Sequence, residues 1–344
     1  MDDAVSGVAG EEAYVVGGAV RDELLGRPVL DVDVACRDPE AAARAYAEAV
    51  GAVVFPLSER HGAWRVASPD ERTVDFTPLR EGIDDDLRTR DFTINAIARR
   101  VGTGDYVDPL RGRDDLRKGV IRAVSDRVFV EDPLRLLRAV RFEDELGFTI
   151  EPWTEELIRR DAALVPAPAG ERILAELERL PVEGFRRLEE LGLLAPLGGS
   201  LRRLDRVDPV ETPEFLLLVV FGPELERLPL PNSTRRFART LLAAHRPRDA
   251  SPREIHRFRR ATEPWAFEAL AFVGAPELYD AVRAARASDP AEPLLRGDEL
   301  VRLGVPRGPE VGRLLEQIEE ERAAGTISTR EEALALARAV IGAT

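Results

Sequence analysis

The sequence predicts an α+β domain followed by an all-α remainder, and two observations support this prediction. Up to about Asp126, short runs of β-branched residues alternate with helical stretches, and Gly and Pro separate them. After Val128 the strand signals disappear, and amphipathic helices rich in Arg and Glu follow one another. A chain of 344 residues, of which 44% are hydrophobic, is long enough for several domains with cores of their own.

Five segments of the first part have the length and the β-branched content of strands. They are Ala13–Val16, Val29–Ala35, Ala52–Phe55, Ala63–Ala67 and Thr73–Thr77. In the second part, clusters of Pro and Gly mark the ends of helices. These clusters are Pro166–Gly170, Pro196–Gly199, Pro229–Pro231 and Gly304–Pro309. No repeat of fixed period is found, which argues against a solenoid.

Composition excludes several classes of protein. Cys36 is the single cysteine, so no internal disulfide can form. The longest apolar stretches, such as Phe215–Phe221, are far shorter than a membrane span. With no N-terminal signal segment, we expect a cytoplasmic protein. The net charge of −14 argues against a generic nucleic-acid binder, so any RNA contact has to be local.

Two acids alternate with apolar residues in the second predicted strand, Leu30-Asp31-Val32-Asp33-Val34. The period of two places both carboxylates on one face of the strand and the apolar side chains on the other. Neighbouring carboxylates repel each other unless a cation lies between them, and hard oxygen ligands suit Mg²⁺. The pattern therefore predicts a magnesium site, although the same pattern also occurs on ordinary solvated strands.

A glycine turn precedes this strand. In Tyr14–Asp22 a strand turns on Gly17 and Gly18 into a helix, and glycines allow the backbone to approach a ligand closely. Free N–H groups at the start of the helix favour an anion, and Arg21 in the first turn is opposed by the helix dipole unless a phosphate is present. The segment predicts a triphosphate site; an ordinary tight turn with a surface arginine is the alternative.

Five motifs in this order resemble the motif series of the bacterial class II tRNA nucleotidyltransferases, a family that also contains related bacterial poly(A) polymerases. The motifs are Val16–Asp22, Asp31–Asp33, Arg90–Ala96, Asp108–Leu110 and Glu131–Arg135 with its continuation to Arg141-Phe142. The resemblance covers roughly residues 13 to 180, and the segment Gly297–Glu332 also resembles the family's tail. Residues 185 to 290 match only as helical.

The resemblance implies a magnesium enzyme that adds nucleotides to the 3' end of tRNA without a nucleic-acid template, from CTP and with ATP as an open second substrate. It implies a catalytic head of nucleotidyltransferase fold over residues 1–128 and a helical neck that recognises the base over 129–180. A helical body over 181–262 and a tail over 263–344 are expected to contact tRNA. A full CCA-adding enzyme, an A-adding enzyme, a poly(A) polymerase and a non-catalytic RNA-binding protein are the alternatives.

The resemblance also implies roles for individual residues. Asp31 and Asp33 match the catalytic metal ligands. The residues that match the nucleotide site are Gly17, Gly18, Arg21, Arg90, Asp91, Asn95, Asp132, Arg135, Arg138 and Arg141. Of these, Asp132 and the three arginines that follow it match the helix that reads the base in place of a template.

Physical arguments support the base-reading helix in part. Residues three apart lie on one side of a helix, so Arg135, Arg138 and Arg141 form a stripe. Three guanidiniums without interleaved acids repel one another unless an anion binds there, although Asp144 and Glu145 offer a partial partner. Asp132 followed by Pro is also the pattern of a helix N-cap, and capping is compatible with base recognition.

Two further sets of residues are candidates with weaker support. Asp75 alternates with Val74 and Phe76, which makes it a candidate third carboxylate on a neighbouring strand. Residues 234–260 are rich in arginine and poor in acid, so this segment is the best candidate for gripping the tRNA backbone. Its RNA-binding candidates are Arg235, Arg236, Arg239, Arg257 and Arg260; solvated helix faces are the alternative.

The connection Leu79–Thr89 departs from the family. Relatives that build the whole CCA end have a sizeable flexible loop there, which is implied to switch the site from CTP to ATP. Here the connection is short, contains an acidic run and has a single glycine, Gly82. The departure favours an enzyme that adds only the two cytidines and puts the final adenosine in doubt.

Overall fold

The structure is a computed structural model, and it describes residues 7–8, 10, 12–29, 31–58, 62–68, 72–79, 81–204 and 212–342. The chain divides into two compact units, Met1–Gly198 and Gly199–Thr344. Within the described residues, all strands lie in the first unit and the second unit is helical. The predicted α+β part followed by helices is thereby confirmed. The finer division at residues 128, 180 and 262 stays a prediction.

The first unit contains nine strands and nine α-helices among the residues described. The strands are β1 Tyr14–Val16, β2 Asp31–Cys36, β3 Val53–Ser58, β4 Ala63–Ala67, β5 Thr73–Pro78, β6 Ala98–Arg100, β7 Tyr106–Val107, β8 Val120–Ile121 and β9 Thr149–Ile150. The helices are α1 Gly18–Leu24, α2 Pro39–Val50, α3 Ile83–Arg88, α4 Gly112–Lys118, α5 Val128–Glu131, α6 Arg135–Leu146, α7 Pro152–Asp161, α8 Gly170–Leu177 and α9 Val182–Glu190. Short 3-10 helices cover Thr93–Asn95 and Ala162–Leu164.

Strands β1 to β7 form one mixed sheet in the order β3-β4-β5-β2-β1-β6-β7. The pair β2 and β5 is parallel, and the other neighbours are antiparallel. All five predicted strands are present, with ends that differ by up to three residues; Leu30 lies outside the described residues. Strands β6 to β9 were not predicted. One of them, β9, lies beyond Val128 and pairs with β8, so the expectation of no strand there is wrong at this point.

Strand β2 lies at the centre of the sheet, and its apolar side chains are buried in the core. Val32 and Val34 are buried, whereas Asp31 is exposed and Asp33 is half-buried, as the alternation predicts. Helix α2 covers the sheet next to β4 and β5. The side chain of Asp38 caps α2 by accepting the N–H of Ala41 at 3.1 Å. This packing leaves the polar face of β2 available to the site.

A close approach of two backbones fixes the segment Thr93–Asn95. A Cβ added to Gly112 would lie 2.0 Å from the carbonyl oxygen of Thr93, so a larger residue at this position would displace the segment. The Asp108 carboxylate accepts the N–H groups of Gly112 and Arg113 at 2.6 and 3.0 Å, which anchors the start of α4. Thr93 donates to Asp115 at 2.7 Å. The motif around Asp108 thus anchors α4, and α4 in turn contacts the Arg90–Ala96 motif through Gly112 and Asp115.

The second unit contains eight α-helices among its described residues. They are α10 Pro213–Phe221, α11 Asn232–Ala243, α12 Pro252–Thr262, α13 Ala266–Phe272, α14 Tyr279–Ala287, α15 Gly297–Arg302, α16 Pro309–Ala323 and α17 Arg330–Gly342. Apolar residues of α15, α16 and α17 form one core cluster that includes Leu300 and Ile318. Helix α10 is apolar and buried over Phe215–Phe221. No described helix is long and apolar enough to cross a membrane.

Candidate active site

The two predicted metal ligands lie on one face of β2, at the centre of the sheet. Thr73 of β5 donates its hydroxyl to the Asp31 carboxylate at 2.6 Å. Asp33 lies opposite Asp75 of β5 in the sheet register. Among the described residues, none donates a hydrogen bond to the Asp33 carboxylate. This half-buried carboxylate therefore retains its capacity to bind a cation.

The electrostatics of Asp33 lead to the same conclusion. Burial raises the pKa of Asp33, the guanidinium of Arg90 lowers it, and the carboxylates of Asp75 and Asp31 raise it again. Burial and the neighbouring acids prevail, so the charged form is disfavoured in the protein without a bound cation. A cation between Asp31 and Asp33 would remove that penalty.

Asp75 has a different environment. Arg65 of β4 donates to both of its oxygens, with Nε–Oδ1 and Nη2–Oδ2 distances of 2.7 Å. Within the described ranges, no three His, Cys, Asp or Glu side chains are gathered closely enough to hold a metal ion. The carboxylates of Asp31 and Asp75 nonetheless both lie near enough to Asp33 to raise its pKa. The role of Asp75 as a third ligand stays a prediction, in which a metal ion shares this carboxylate with Arg65 or displaces Arg65 from it.

The glycine turn lies beside the carboxylates. Gly17 has φ = 71°, a conformation that glycine adopts without strain. A Cβ at Gly17 would be 3.4 Å from Arg90 Nη1 and 3.5 Å from Asp33 Oδ2. The missing side chain leaves room for a ligand between Arg90 and Asp33. Arg90 itself is held from the other side by Asp86, at 2.8 Å.

A chain of hydrogen bonds links the glycine turn to α6, the helix that is predicted to read the base. Arg21 Nη1 donates to Asn95 Oδ1 at 2.8 Å, and Asn95 Nδ2 donates to Asp91 Oδ1 at 2.9 Å. Arg138 of α6 donates to the other oxygen of Asp91 at 2.6 and 2.9 Å. Burial by itself raises the pKa of Asp91, but Arg138 and Asn95 hold it below its usual value. Asp91 and Asn95 therefore orient the two arginines.

The predicted arginine stripe is present on α6, but the repulsion argument for it is wrong. Acids from other segments compensate the charges: Arg138 pairs with Asp91, and Arg141 pairs with Glu176 of α8 at 2.5 Å. Glu145 also pairs with Arg141, at 2.9 Å. Arg135 donates to the backbone carbonyl of Thr89 at 2.7 Å. The stripe therefore requires no bound anion for its stability.

Asp132 has two partners, one for each oxygen. Oδ1 accepts the N–H of Leu134 at 3.1 Å; because Leu134 is itself the N-cap of α6, Asp132 braces the turn that precedes the helix. Oδ2 accepts Nη2 of Arg172 at 2.8 Å. A carboxylate has about four lone-pair positions, so it can still accept a further hydrogen bond from a nucleobase.

All ten predicted nucleotide-site residues and both predicted metal ligands line one cleft of about 850 Å³ in the first unit. The cleft is lined by Gly17, Gly18, Arg21, Asp31, Asp33, Arg90, Asp91, Asn95, Asp132, Arg135, Arg138 and Arg141. Its lining also includes Asp86, Phe142, Arg172 and Arg179, to which the sequence analysis gave no role. Arg172 and Arg179 follow the helix-breaking cluster at 166–170, and nothing local distinguishes them from surface arginines.

Comparison with known proteins identifies the family. The family described as "Poly A polymerase head domain" matches residues 13–82 and 70–122. The family described as "Probable RNA and SrmB- binding site of polymerase A" matches residues 147–198. An A-adding tRNA nucleotidyltransferase from Deinococcus radiodurans is 35% identical over 94% of this chain and 94% of the relative. This chain belongs to the class II tRNA nucleotidyltransferase family.

Membership makes the chain a nucleotidyltransferase, and enzymes of this family generally use divalent metal ions. A CC-adding tRNA nucleotidyltransferase from Thermus thermophilus is 32% identical over 94% of this chain and 93% of the relative. A CCA-adding enzyme from Thermotoga maritima, solved in complex with tRNA, superimposes with a TM-score of 0.71 at 25% identity, covering 96% of this chain and 91% of that one. These likenesses confirm the expected fold.

The arginine-rich segment of the second unit is less basic than its sequence indicates. Arg239 pairs with Glu226 at 2.7 Å, and Arg257 pairs with Glu320 at 2.6 Å. Arg260 lies 3.9 Å from Glu316. Arg235 and Arg236 have no acidic partner within the part of the chain that the structure describes. The RNA-binding role of this segment stays a prediction, and these last two residues are its best candidates.

Proposed function

We propose that this nucleotidyltransferase extends the 3' end of tRNA with nucleotides from CTP, without a nucleic-acid template. One observation carries the proposal: the carboxylates of β2 and the arginines of α6 line the same cleft. Relatives named for adding A or CC to tRNA match more than nine-tenths of the chain, which supports the same substrate class.

In this reaction the terminal hydroxyl oxygen of the RNA attacks the α-phosphorus of the nucleotide, a phosphodiester forms, and pyrophosphate leaves. Asp31 and Asp33 would hold Mg²⁺, which binds through one or two carboxylates and completes its shell with phosphate and water oxygens. When bound, Mg²⁺ supplies positive charge to the attacking and leaving oxygens. The chemistry of two carboxylates beside a glycine turn fits this ion.

The side chains around the glycine turn would bind the triphosphate. Arg90 lies next to the space that Gly17 leaves open, and its guanidinium offers donors that match phosphate oxygens. Arg21 lies one helical turn further on and is held by Asn95. Both arginines are fixed before the nucleotide arrives, so little side-chain entropy is lost on binding.

The start of α6 would read the base. Asp132 accepts from an exocyclic amino group, and Arg135 donates to a base acceptor, so cytosine satisfies both side chains. A base without the matching groups leaves a buried polar atom unpaired, which is the strongest means of rejecting it. Arg138 and Arg141 support this helix through Asp91 and Glu176.

The subtype that we propose is CC addition. The connection after β5 is short, and much of it is the helix α3, Ile83–Arg88; Arg80 lies outside the described residues. Asp86 of α3 is ion-paired with Arg90 at 2.8 Å. A connection that is helical and tied to the site has little freedom to act as a two-state lever between CTP and ATP. This supports a site fixed for CTP.

Addition of A alone is the second candidate, because the Deinococcus relative that matches 94% of the chain is named for that activity. One assay separates the two. Purified protein is given tRNA that ends before CCA, tRNA ending in C and tRNA ending in CC, each with CTP and ATP and Mg²⁺. The products are then read at single-nucleotide resolution.

Accumulation of ends at CC from the first two substrates would support the proposed subtype. Extension of only the CC substrate by one adenosine would identify an A-adding enzyme. Completion to CCA would contradict the argument from the short connection, and long adenosine tails would indicate a poly(A) polymerase. The absence of incorporation with all three substrates would contradict the proposed function.

A further inference from the structure

Three arginines of the cleft surround one aromatic ring, that of Phe142 in α6. The guanidinium carbon of Arg141 lies 4.4 Å from the ring centroid, and those of Arg21 and Arg138 each lie 5.1 Å from it. The ring is 3% exposed and lines the cleft. Phe142 thereby joins Arg21, on the glycine-turn side, to two arginines of the helix that carries the base readers.

The three arginines also have polar partners: Asn95 and Asp91, which are hydrogen-bonded to each other, link Arg21 to Arg138, and Glu176 lies near both Arg138 and Arg141. Arg21 is held by Asn95 and Asp22, Arg138 by Asp91, and Arg141 by Glu176 and Glu145. No single acid contacts all three guanidiniums among the residues described. The ring of Phe142 lies near all three guanidiniums, so it acts on their relative positions together with these polar links.

We propose that Phe142 is a positioning residue that sets Arg21 relative to Arg138 and so couples triphosphate binding to base recognition. The inference rests on the proposed function for the roles of the glycine turn and of α6. An aromatic ring attracts cations through its quadrupole, within about 6 Å of the centroid. Because the ring carries no net charge, it attracts the guanidiniums without competing as an anion with the phosphates.

A ring at this position also limits hydration of the guanidinium faces. The planar side of each arginine can lie against the ring while its N–H groups remain directed at carboxylates or at the cleft. An aliphatic side chain of similar volume would fill the space but would not attract the cations. The electrostatic part of the role can therefore be separated from the packing part by substitution.

The structure provides a matched control within the same aromatic cluster. Phe92 packs edge-on against Phe142, with ring centroids 5.9 Å apart, and against Phe129, with centroids 6.4 Å apart. Phe129 is fully buried, and no guanidinium among the described residues lies over its ring. Phe129→Leu thus removes a neighbouring ring from the same core and leaves the arginines untouched.

The test compares Phe142→Leu, Phe142→Tyr and Phe129→Leu with the unaltered protein. CTP affinity is measured by calorimetry without tRNA, and the preference for CTP over UTP is measured as the ratio of kcat/KM values in tRNA extension. For Phe142→Leu we expect CTP affinity to fall about 10-fold and the preference to fall several-fold, the scale of one or two lost cation–π contacts. Phe142→Tyr keeps an aromatic ring, so it should retain the CTP affinity and the preference of the unaltered protein. Phe129→Leu should change neither quantity by more than about 2-fold.

Equal losses of CTP affinity and preference in Phe142→Leu and Phe129→Leu would show that Phe142 acts only through packing, which would overturn the proposal. Unchanged affinity and preference in Phe142→Leu would also overturn it. A protein that binds CTP but extends no tRNA would contradict the proposed function alone, because the calorimetric comparison still decides the role of Phe142.

Discussion

The arginines of the cleft and those of the second unit are equally prominent in the sequence, but the structure places them in different surroundings. In the cleft, Arg138 pairs with Asp91 and Arg141 pairs with Glu176. These two acids are only 6% and 8% exposed, respectively. In the second unit, Arg239 pairs on the surface, where its side chain is 66% exposed. Buried pairs fix the direction of a guanidinium, whereas water and salt compete with a surface pair.

This difference shows that the number of arginines in a segment predicts neither a positive field nor a binding site. The charge that remains depends on which acids the fold brings to each arginine. In the cleft, the partners leave the guanidiniums lining a cavity together with the carboxylates of Asp31 and Asp33. In the second unit, several guanidiniums are neutralised. The predictions below test this contrast, beginning with a carboxylate that accepts no hydrogen bond from the described residues.

The largest effect is expected at Asp33, which receives no hydrogen bond from the described residues. Asp33→Asn should lower nucleotide incorporation by about 1000-fold or more, because a metal ligand is lost. Without divalent ions the variant should melt at a higher temperature, since a disfavoured charge is removed. Mg²⁺ should raise the melting temperature of the unaltered protein but not that of the variant.

Asp144→Asn is the control for Asp33, because Asp144 is an exposed acid of the same unit outside the cleft lining. Its incorporation rate and its Mg²⁺-dependent melting shift should match those of the unaltered protein. Retention of either the activity or the Mg²⁺ shift in Asp33→Asn would remove Asp33 from the metal site.

The next effect is expected at Asp91, where a buried pair is broken. Asp91→Asn should lower the free energy of unfolding at pH 7 by about 3 kcal/mol, at the lower end for a broken buried ion pair because Arg138 keeps some contact with water. The pKa of Asp91 lies below its usual 3.8, so its contribution is present above that value and is lost as the pH falls further. The stability difference between the two proteins should therefore shrink below about pH 4.

Denaturant unfolding over a series of pH values measures this difference. A matched surface pair is available in Arg239 and Glu226, where Glu226→Gln should change stability by no more than about 1 kcal/mol. If the difference in free energy of unfolding between Asp91→Asn and the unaltered protein stays constant down to pH 2, the charged carboxylate of Asp91 is not stabilised by its partners. The contrast between buried and surface ion pairs would then be wrong for the Asp91–Arg138 pair.

The sequence predicted much of the fold and of the site, and the failures have a common physical cause. Strands β2 to β5 have five or six residues each, whereas β8 and β9 have two residues each and are defined only by their pairing. Motif residues such as Asp33 and Arg90 were predicted and lie close together. Arg172 was missed because an isolated arginine on a helix is typical of a solvated surface, and its partner lies 40 positions away.

A smaller effect is expected at this missed residue. Arg172→Ala should lower the preference for CTP over UTP by about 10-fold, because Asp132 loses a charged hydrogen bond that orients it. Arg179→Ala is the control: Arg179 also lines the cleft, but it pairs with Glu145. Its nucleotide preference should stay within about 2-fold of the unaltered protein. Equal preferences in the two variants would show that Arg172 does not orient Asp132 for base recognition.

The smallest effects are expected in the second unit, where the contrast between paired and unpaired arginines can be measured on one surface. An arginine that already holds a carboxylate must release it before it binds a phosphate, so its net contribution to RNA affinity is small. Arg239→Ala should therefore change tRNA affinity by no more than about 2-fold. Replacing Arg235 and Arg236 together should weaken binding by about 3- to 10-fold, because neither has an acidic partner among the described residues.

The salt dependence distinguishes a phosphate contact from a general loss of stability. Each phosphate contact that is lost should reduce the slope of log affinity against log salt by about 0.7 to 0.9, because fewer counterions are released from the RNA. The double variant should show such a reduction and Arg239→Ala should not. If Arg239→Ala reduces the slope as much as the double variant does, the ion pair with Glu226 opens readily in the presence of RNA. Surface pairing would then be no guide to which arginines bind the backbone, and the contrast would hold only for the buried pairs of the cleft.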